Sequence, residues 1–170
     1  MLRSCETKEG EKLMQGIFGP SFDYYAIRER RRELVRERLA QYGLEKKPGV
    51  EEKLRFLRAK GIKTAVATAT ALDITKSHLT TIGVCDLFDS IVSAKNVAHG
   101  KPEPDVYLYA CEQIGERPQD CMAVEDSPNG IMAAYRAGLR TVMVPDLTQP
   151  DEELTKYLYA CVNSLSDLCE

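Results

Sequence analysis

Five residues carry groups suited to one chemistry: Thr68, Thr70, Lys101, Glu125 and Asp126. They lie far apart in the chain, yet each group follows a short apolar run. Thr68 and Thr70 come after "TAVA", Lys101 comes in the loop "GKPEPD" after "SIVSA", and Glu125–Asp126 come directly after "CMAV". In an open parallel α/β sheet, ligands bind beyond the carboxyl ends of the strands. If these runs are such strands, two hydroxyls, an ammonium and two carboxylates share one edge.

That combination suggests a phosphate site with a divalent metal. A phosphate and a carboxylate brought to about 4 Å repel by about 4 kcal/mol at an effective dielectric of about 20. A hard cation with oxygen ligands removes the repulsion, and Mg²⁺ commonly shares one or two carboxylates with substrate phosphate and water. Lys101 would add positive charge and Thr68 a hydroxyl donor to a phosphate oxygen. Glu125 and Asp126 are neighbours on extended chain, so their side chains point opposite ways. One is expected to take the metal directly and the other to act through water or as an outer partner. Each piece also has an ordinary structural reading: Asp126 as a helix cap, "TAT" as a polar strand end, Lys101 as a solvated loop lysine.

The elements that must position these groups are legible as an alternation. "GVEEKLRFLRAKG" reads as an amphipathic helix ending at Gly61, "KTAVAT" as a strand, and Leu72 to Ile82 as a helix stopped by Gly83. "SIVSA" is the next strand. "PEPDVYLYACEQIG" carries a proline suited to a first helical turn and closes on Gly115. "CMAV" is followed by a helix from Pro128, for which Ser127 is the expected N-cap. That helix aims its positive end at the acidic pair. The strand "RTVMV", a helix near Asp151–Tyr159 and a weak strand "ACV" complete the run. Strands alternating with helices of this length predict a parallel sheet covered on both faces.

Before "KKPGV" the chain is helical and charged. "SFDYYAIRERRRELVRERLAQYG" spaces Tyr24, Ile27, Leu34, Leu39 and Tyr42 at helical intervals, with Ser21 as the expected N-cap and Gly43 as the stop. Its arginines are interleaved with Glu29, Glu33 and Glu37, which predicts a solvated face with internal ion pairs. Together with a net charge of −3, this argues against nucleic-acid or membrane partners.

Other chemistries find little support. "HGKP" is not a phosphate-binding P-loop, since Lys95 stands where its first glycine is required and Pro102 where Ser or Thr is required. No G-x-G-x-x-G occurs. His78 and His99 are isolated and read as surface residues. The 6 cysteines form no C-x-x-C pair, so reduced structural thiols in a cytoplasmic protein are expected, with Cys121 and Cys161 inside strand-like runs. The opening "MLRSCETKEGEKLMQG" lacks the apolar core of a signal peptide, and no run reaches membrane-spanning length.

Taken together, "KTAVATAT", "GKPEPDVY" and "CMAVEDSPNGIMAAYRAG" resemble the haloacid dehalogenase superfamily, in particular the helical-cap phosphatases that include beta-phosphoglucomutase. The resemblance implies a Rossmann-like parallel sheet, with residues 48–170 as the α/β core and 1–47 as part of a helical cap. It implies that Thr68 holds the phosphoryl group and that Lys101 balances charge on phosphate and nucleophile. Asp126 would ligate Mg²⁺ with Glu125 as its companion, and Thr70 would be a further phosphate contact. The substrate would be a phosphorylated small molecule.

One departure stands out. The family's first strand ends in D-x-D-G, whose first Asp attacks phosphorus and whose second serves as general acid and base. No D-x-D occurs in these 170 residues. In the family that strand lies at the sheet centre, between the strand ending at Thr68 and the one ending at Glu125. The expectation is therefore that these two strands close on each other, that a gap stays exposed, or that another polypeptide fills it. A complementing N-terminal peptide and self-association are the partners this predicts, with weak or absent turnover by the chain alone. A non-catalytic phosphate- or metal-binding module and a phosphomutase are the alternative readings.

Overall fold

The computed structural model describes residues 7–168. These fall into two compact units, the first ending at Glu45 and the second beginning at Lys46.

The first unit is a pair of helices, α1 (Thr7–Phe18) and α2 (Tyr24–Tyr42), joined through Gly19 at φ 95°. The N-cap of α2 is Asp23, not the expected Ser21, because the Asp23 carboxylate accepts the Ala26 N–H at 2.9 Å. Gly43, at φ 73°, ends the helix as expected. Arg30 pairs with Glu33 and Glu37, and Arg32 with Glu29, so the interleaved charges do neutralise one another along the helix. No residue of α2 is buried, and Tyr25, Ile27, Leu34, Val35 and Tyr42 are exposed.

The second unit alternates helix and strand: α3 (Val50–Ala59), β1 (Ala65–Thr68), α4 (Leu72–Thr81), β2 (Ser90–Ser93), α5 (Asp105–Ile114), β3 (Met122–Glu125), α6 (Pro128–Arg136), β4 (Arg140–Met143), α7 (Glu152–Thr155) and β5 (Ala160–Cys161). Every pairing is parallel, so the α/β reading is correct. The strands form two sheets, β1–β2 and β3–β4–β5, and β1 is not hydrogen-bonded to β3. Of the three outcomes foreseen for this junction, closure of the two strands on each other does not occur.

Helices α5 and α6 pack together over one side and bury the main core, which includes Val92, Val106, Ala123, Ala133 and Leu139. Ile131, Met143 and Leu154 form a smaller core where α6, β4 and α7 meet. Coverage of both faces fails at β3. Ala123 is buried, whereas its neighbours Met122 and Val124 are 50% and 42% exposed. Alternation along the strand sends these two to the opposite face.

Two further expectations are corrected. The last helix spans Glu152–Thr155, shorter than the sequence pattern suggested, with Asp151 capping the Leu154 N–H at 2.7 Å. Cys161 is exposed because β5 has only two residues and pairs with β4 alone. Cys85, Cys111, Cys121 and Cys161 are free thiols; Cys5 and Cys169 lie outside the described residues. No described helix is long and apolar enough to cross a membrane.

Candidate active site

Local sequence fixes where each site residue stands. Thr68 is the last residue of β1. Two residues on, the Thr70 N–H donates to Thr68 Oγ1 at 3.1 Å, which turns the chain away from the strand. Because that oxygen is accepting, the Thr68 hydroxyl hydrogen remains to be donated elsewhere. Ser93, fully buried at the end of β2, donates through Oγ to the Thr70 carbonyl at 2.7 Å and accepts the Lys95 N–H at 3.2 Å. The ends of the paired strands are thereby tied together.

Lys101 comes from the loop before α5. That loop is held on its other side by Arg136 of α6, which donates to Pro102 O at 3.1 Å and to Glu103 Oε1 at 2.8 Å. The Lys101 ammonium has three acceptors: Ala67 O at 3.0 Å, the Tyr107 hydroxyl oxygen at 3.3 Å, and Glu125 Oε1. It lies 4.7 Å from the Tyr107 ring centroid. Lys101 is not the solvated loop lysine of the ordinary reading: its side chain and that of Glu125 are each 9% exposed.

Glu125 ends β3. Its Oε1 accepts from both Lys101 and the Tyr107 hydroxyl, and its Oε2 accepts from Ser127 Oγ at 3.2 Å. Ser127 is also the N-cap of α6, accepting the Gly130 N–H at 3.2 Å, with Pro128 at the first helical position. A Cβ at Gly130 would stand 2.0 Å from Glu125 Oε2, so the carboxylate occupies the space a side chain would take. Burial first, then the Glu125 charge and hydrogen bond and the Asp126 charge, push the Tyr107 phenol far above its ordinary range. It therefore stays protonated and donates.

The structure thus joins Lys101 and Glu125 directly and brings the end of β1 to the same lysine through the Ala67 carbonyl, one residue before Thr68. Asp126 follows Glu125 at the mouth of α6, with its charge felt at Tyr107. Thr70 enters through its backbone. Three contributors were not picked out as functional from sequence: Tyr107, Ser93 and Gly130. Tyr107 sits six residues beyond Lys101 within "KPEPDVY", where an aromatic on a helix reads as core. His99, the expected surface residue, is exposed and bonds Asp105 at 3.0 Å. Burial raises the Asp105 carboxyl, but the His99 hydrogen bonds outweigh it and hold the group below its usual range.

Oxygen donors of this kind suit a hard cation. The described residues contain no group of three or more His, Cys, Asp or Glu placed to hold a metal.

Residues 4–144 match the family described as haloacid dehalogenase-like hydrolase. The chain belongs to that family. Among curated relatives, hexitol phosphatase B of Escherichia coli (strain K12) is 36% identical over 98 residues, covering 58% of this chain and 44% of that protein. Protein CbbY of Rhodobacter capsulatus is 38% identical over 109 residues, covering 62% of this chain and 48% of that protein. The chain therefore spans about half the length of these relatives. The crystal structure of CbbY from Rhodobacter sphaeroides in complex with phosphate matches with a TM-score of 0.74 at 26% identity, over 94% of this chain and 74% of that one.

Proposed function

We propose that this chain carries the phosphate- and metal-positioning half of a haloacid dehalogenase-type phosphomonoesterase acting on a phosphorylated small molecule. The observation that carries the reading is the buried Lys101–Glu125 pair, set between the end of β1 and the mouth of α6. A buried ammonium and carboxylate are expensive to keep, and a phosphoryl site gives both a use. The phosphate bound by CbbY of the same fold supports the choice of ligand.

In this reading Thr68 donates its free hydroxyl hydrogen to a phosphoryl oxygen, and Lys101 supplies positive charge beside it. Thr70 holds the loop. Asp126 would take Mg²⁺ directly, while Glu125, already engaged by Lys101, Tyr107 and Ser127, would act behind it. Bound Mg²⁺ would supply charge neutralisation between phosphate and carboxylates. The positive end of α6 adds to the same field. Residues 48–170 act as the core and 1–47 as part of a helical cap. Free thiols are in keeping with the cytoplasm.

The attacking carboxylate of the family's chemistry has no D-x-D to come from in these residues. We therefore assign it to a polypeptide segment outside them, added between β1 and β3, where the two sheets are not paired. The chain alone would then turn over weakly or not at all. A second reading, a module that binds phosphate without catalysis, draws on the same absence. Phosphoryl transfer between positions of a sugar, as in a mutase, would use the same half-site.

The test is Mg²⁺-dependent hydrolysis of an aryl phosphate, with and without an added D-x-D-bearing strand segment. Background rates alone and activity on addition, lost in Lys101→Met and Asp126→Asn, are expected. Robust hydrolysis by the chain alone would overturn the assignment of the nucleophile. Phosphate binding that no added segment converts to turnover would favour the non-catalytic reading.

A further inference from the structure

The Tyr107 hydroxyl is placed where it has a choice to impose. A lysine ammonium is a rotatable point charge and donates to either oxygen of a carboxylate equally. The Lys101–Glu125 pair alone would therefore leave the carboxylate free to turn. Tyr107 is different: its ring is locked in the main core at 7% exposure, so its oxygen is a fixed point. It accepts from Lys101 and spends its one hydrogen on Glu125 Oε1. With Oε1 held between lysine and phenol, Oε2 is turned to Ser127 and the backbone of Gly130.

We infer that Tyr107 is a positioning residue of the site, whose hydroxyl fixes the rotation of the Glu125 carboxylate and keeps all three Lys101 protons committed. The inference rests on the reading that Glu125 serves a cation beside phosphate, and adds a residue to it. Tyr107 touches neither metal nor substrate; it acts through Glu125 and Lys101. If it were only core filler, its hydroxyl would merely satisfy the nearest acceptor, and its loss would change stability alone.

Tyr107→Phe keeps the ring, its packing and its contact with the ammonium while removing the hydroxyl. Mg²⁺ binding by the 170-residue chain is measured by titration calorimetry for wild type, Tyr107→Phe and Glu125→Gln. In parallel, the Lys101 ammonium is followed by ¹⁵N NMR. Removing an outer partner of a metal ligand commonly weakens metal affinity by about 10–100-fold, and Tyr107 stands one contact further out, behind Glu125. The expected result is a Tyr107→Phe dissociation constant raised by about threefold to tenfold, below the effect of Glu125→Gln, with a melting temperature lowered by about 4 °C or less. The Lys101 ammonium signal, protected in wild type, should broaden through faster exchange.

Tyr107→Phe with wild-type affinity and an unchanged Lys101 signal overturns the inference, while a loss confined to Glu125→Gln leaves the metal reading intact. Absence of saturable Mg²⁺ binding by wild type overturns both. Should Tyr107→Phe fail to fold, the wild-type spectrum still decides, because Lys101 protons exchanging at the rate of a solvated lysine contradict the hydrogen bonds on which the inference stands.

Discussion

Gly130→Ala isolates the packing of Glu125 against α6 in a single methyl group. A helical glycine changed to alanine ordinarily gains about 1 kcal/mol, and Gly130 has no positive φ to oppose that gain. Here the new Cβ would lie 2.0 Å from Oε2, 2.1 Å from Cδ and 2.5 Å from Oε1 of Glu125. The carboxylate would have to retreat by roughly 1.5 Å to reach an ordinary contact. Its oxygens are held by Lys101, Tyr107 and Ser127, so retreat breaks a pair that is 9% exposed on each side. Removing one partner of a buried pair costs about 3–5 kcal/mol, and the helix gain offsets about 1 kcal/mol of it. A net loss of about 2–4 kcal/mol follows.

Urea unfolding followed by far-ultraviolet circular dichroism measures the loss directly. The double-mutant cycle with Glu125→Ala tests the cause. Once the carboxylate is gone, Gly130→Ala should become neutral or stabilising by up to about 1 kcal/mol. Gly130→Ala as stable as wild type, with Glu125 present, would show that the carboxylate is not held where the three hydrogen bonds place it.

The other predictions concern groups around the same core. Ser127→Ala, which removes the α6 N-cap and a donor to Glu125, should cost about 1 kcal/mol in thermal or urea unfolding. Burial, then the hydrogen bond and charge of Cys121, push the Cys111 thiol up to about 12. The folded chain thus keeps this proton where the unfolded chain, with a thiol near about 8.5, has lost it. Stability is full below about pH 8.5 and declines as pH rises toward the folded value; Cys111→Ala should flatten the alkaline fall in urea midpoint. A thiol reagent at mild alkaline pH should label exposed Cys161 quickly and buried Cys111 only after denaturation, as mapped by peptide mass spectrometry.

The alternation of helix and strand was legible because its punctuation is chemical. Gly61 and Gly115 take φ 70° and 67°, which a residue with a side chain rarely adopts, and Ser127–Pro128 is a cap followed by a first-turn proline. Lys101 and Glu125 were legible as members of one sheet edge because each lies at or beyond a strand end. Their direct ion pair was not, since in sequence Lys101 reads toward phosphate and Glu125 toward Asp126. The division into two sheets was not, since strand order and pairing depend on contacts between distant segments. Nor was Tyr107: within α5 its spacing is that of a core residue, and only the loop geometry that returns Lys101 to it gives its hydroxyl partners. Gly130 carries no sequence sign of its role, because what fills its missing side chain arrives from β3. Asp23 displaced Ser21 as the cap of α2 because the helix starts later than its apolar spacing suggests.

The separation of β1–β2 from β3–β4–β5 gives the site a mechanical meaning. Backbone hydrogen bonds do not connect β1 to β3, so the two sheets are joined through the shared core under α5 and α6 and through side-chain contacts such as those of Lys101. Lys101 is fastened to both, through the Ala67 carbonyl on one side and Glu125 on the other. In the proposed reading, a phosphate held by the Thr68 hydroxyl beside the Lys101 charge would act as a rivet across the seam. Its binding energy would then add to the packing that already spans both sheets, raising the protection of β1 and β3 amides together.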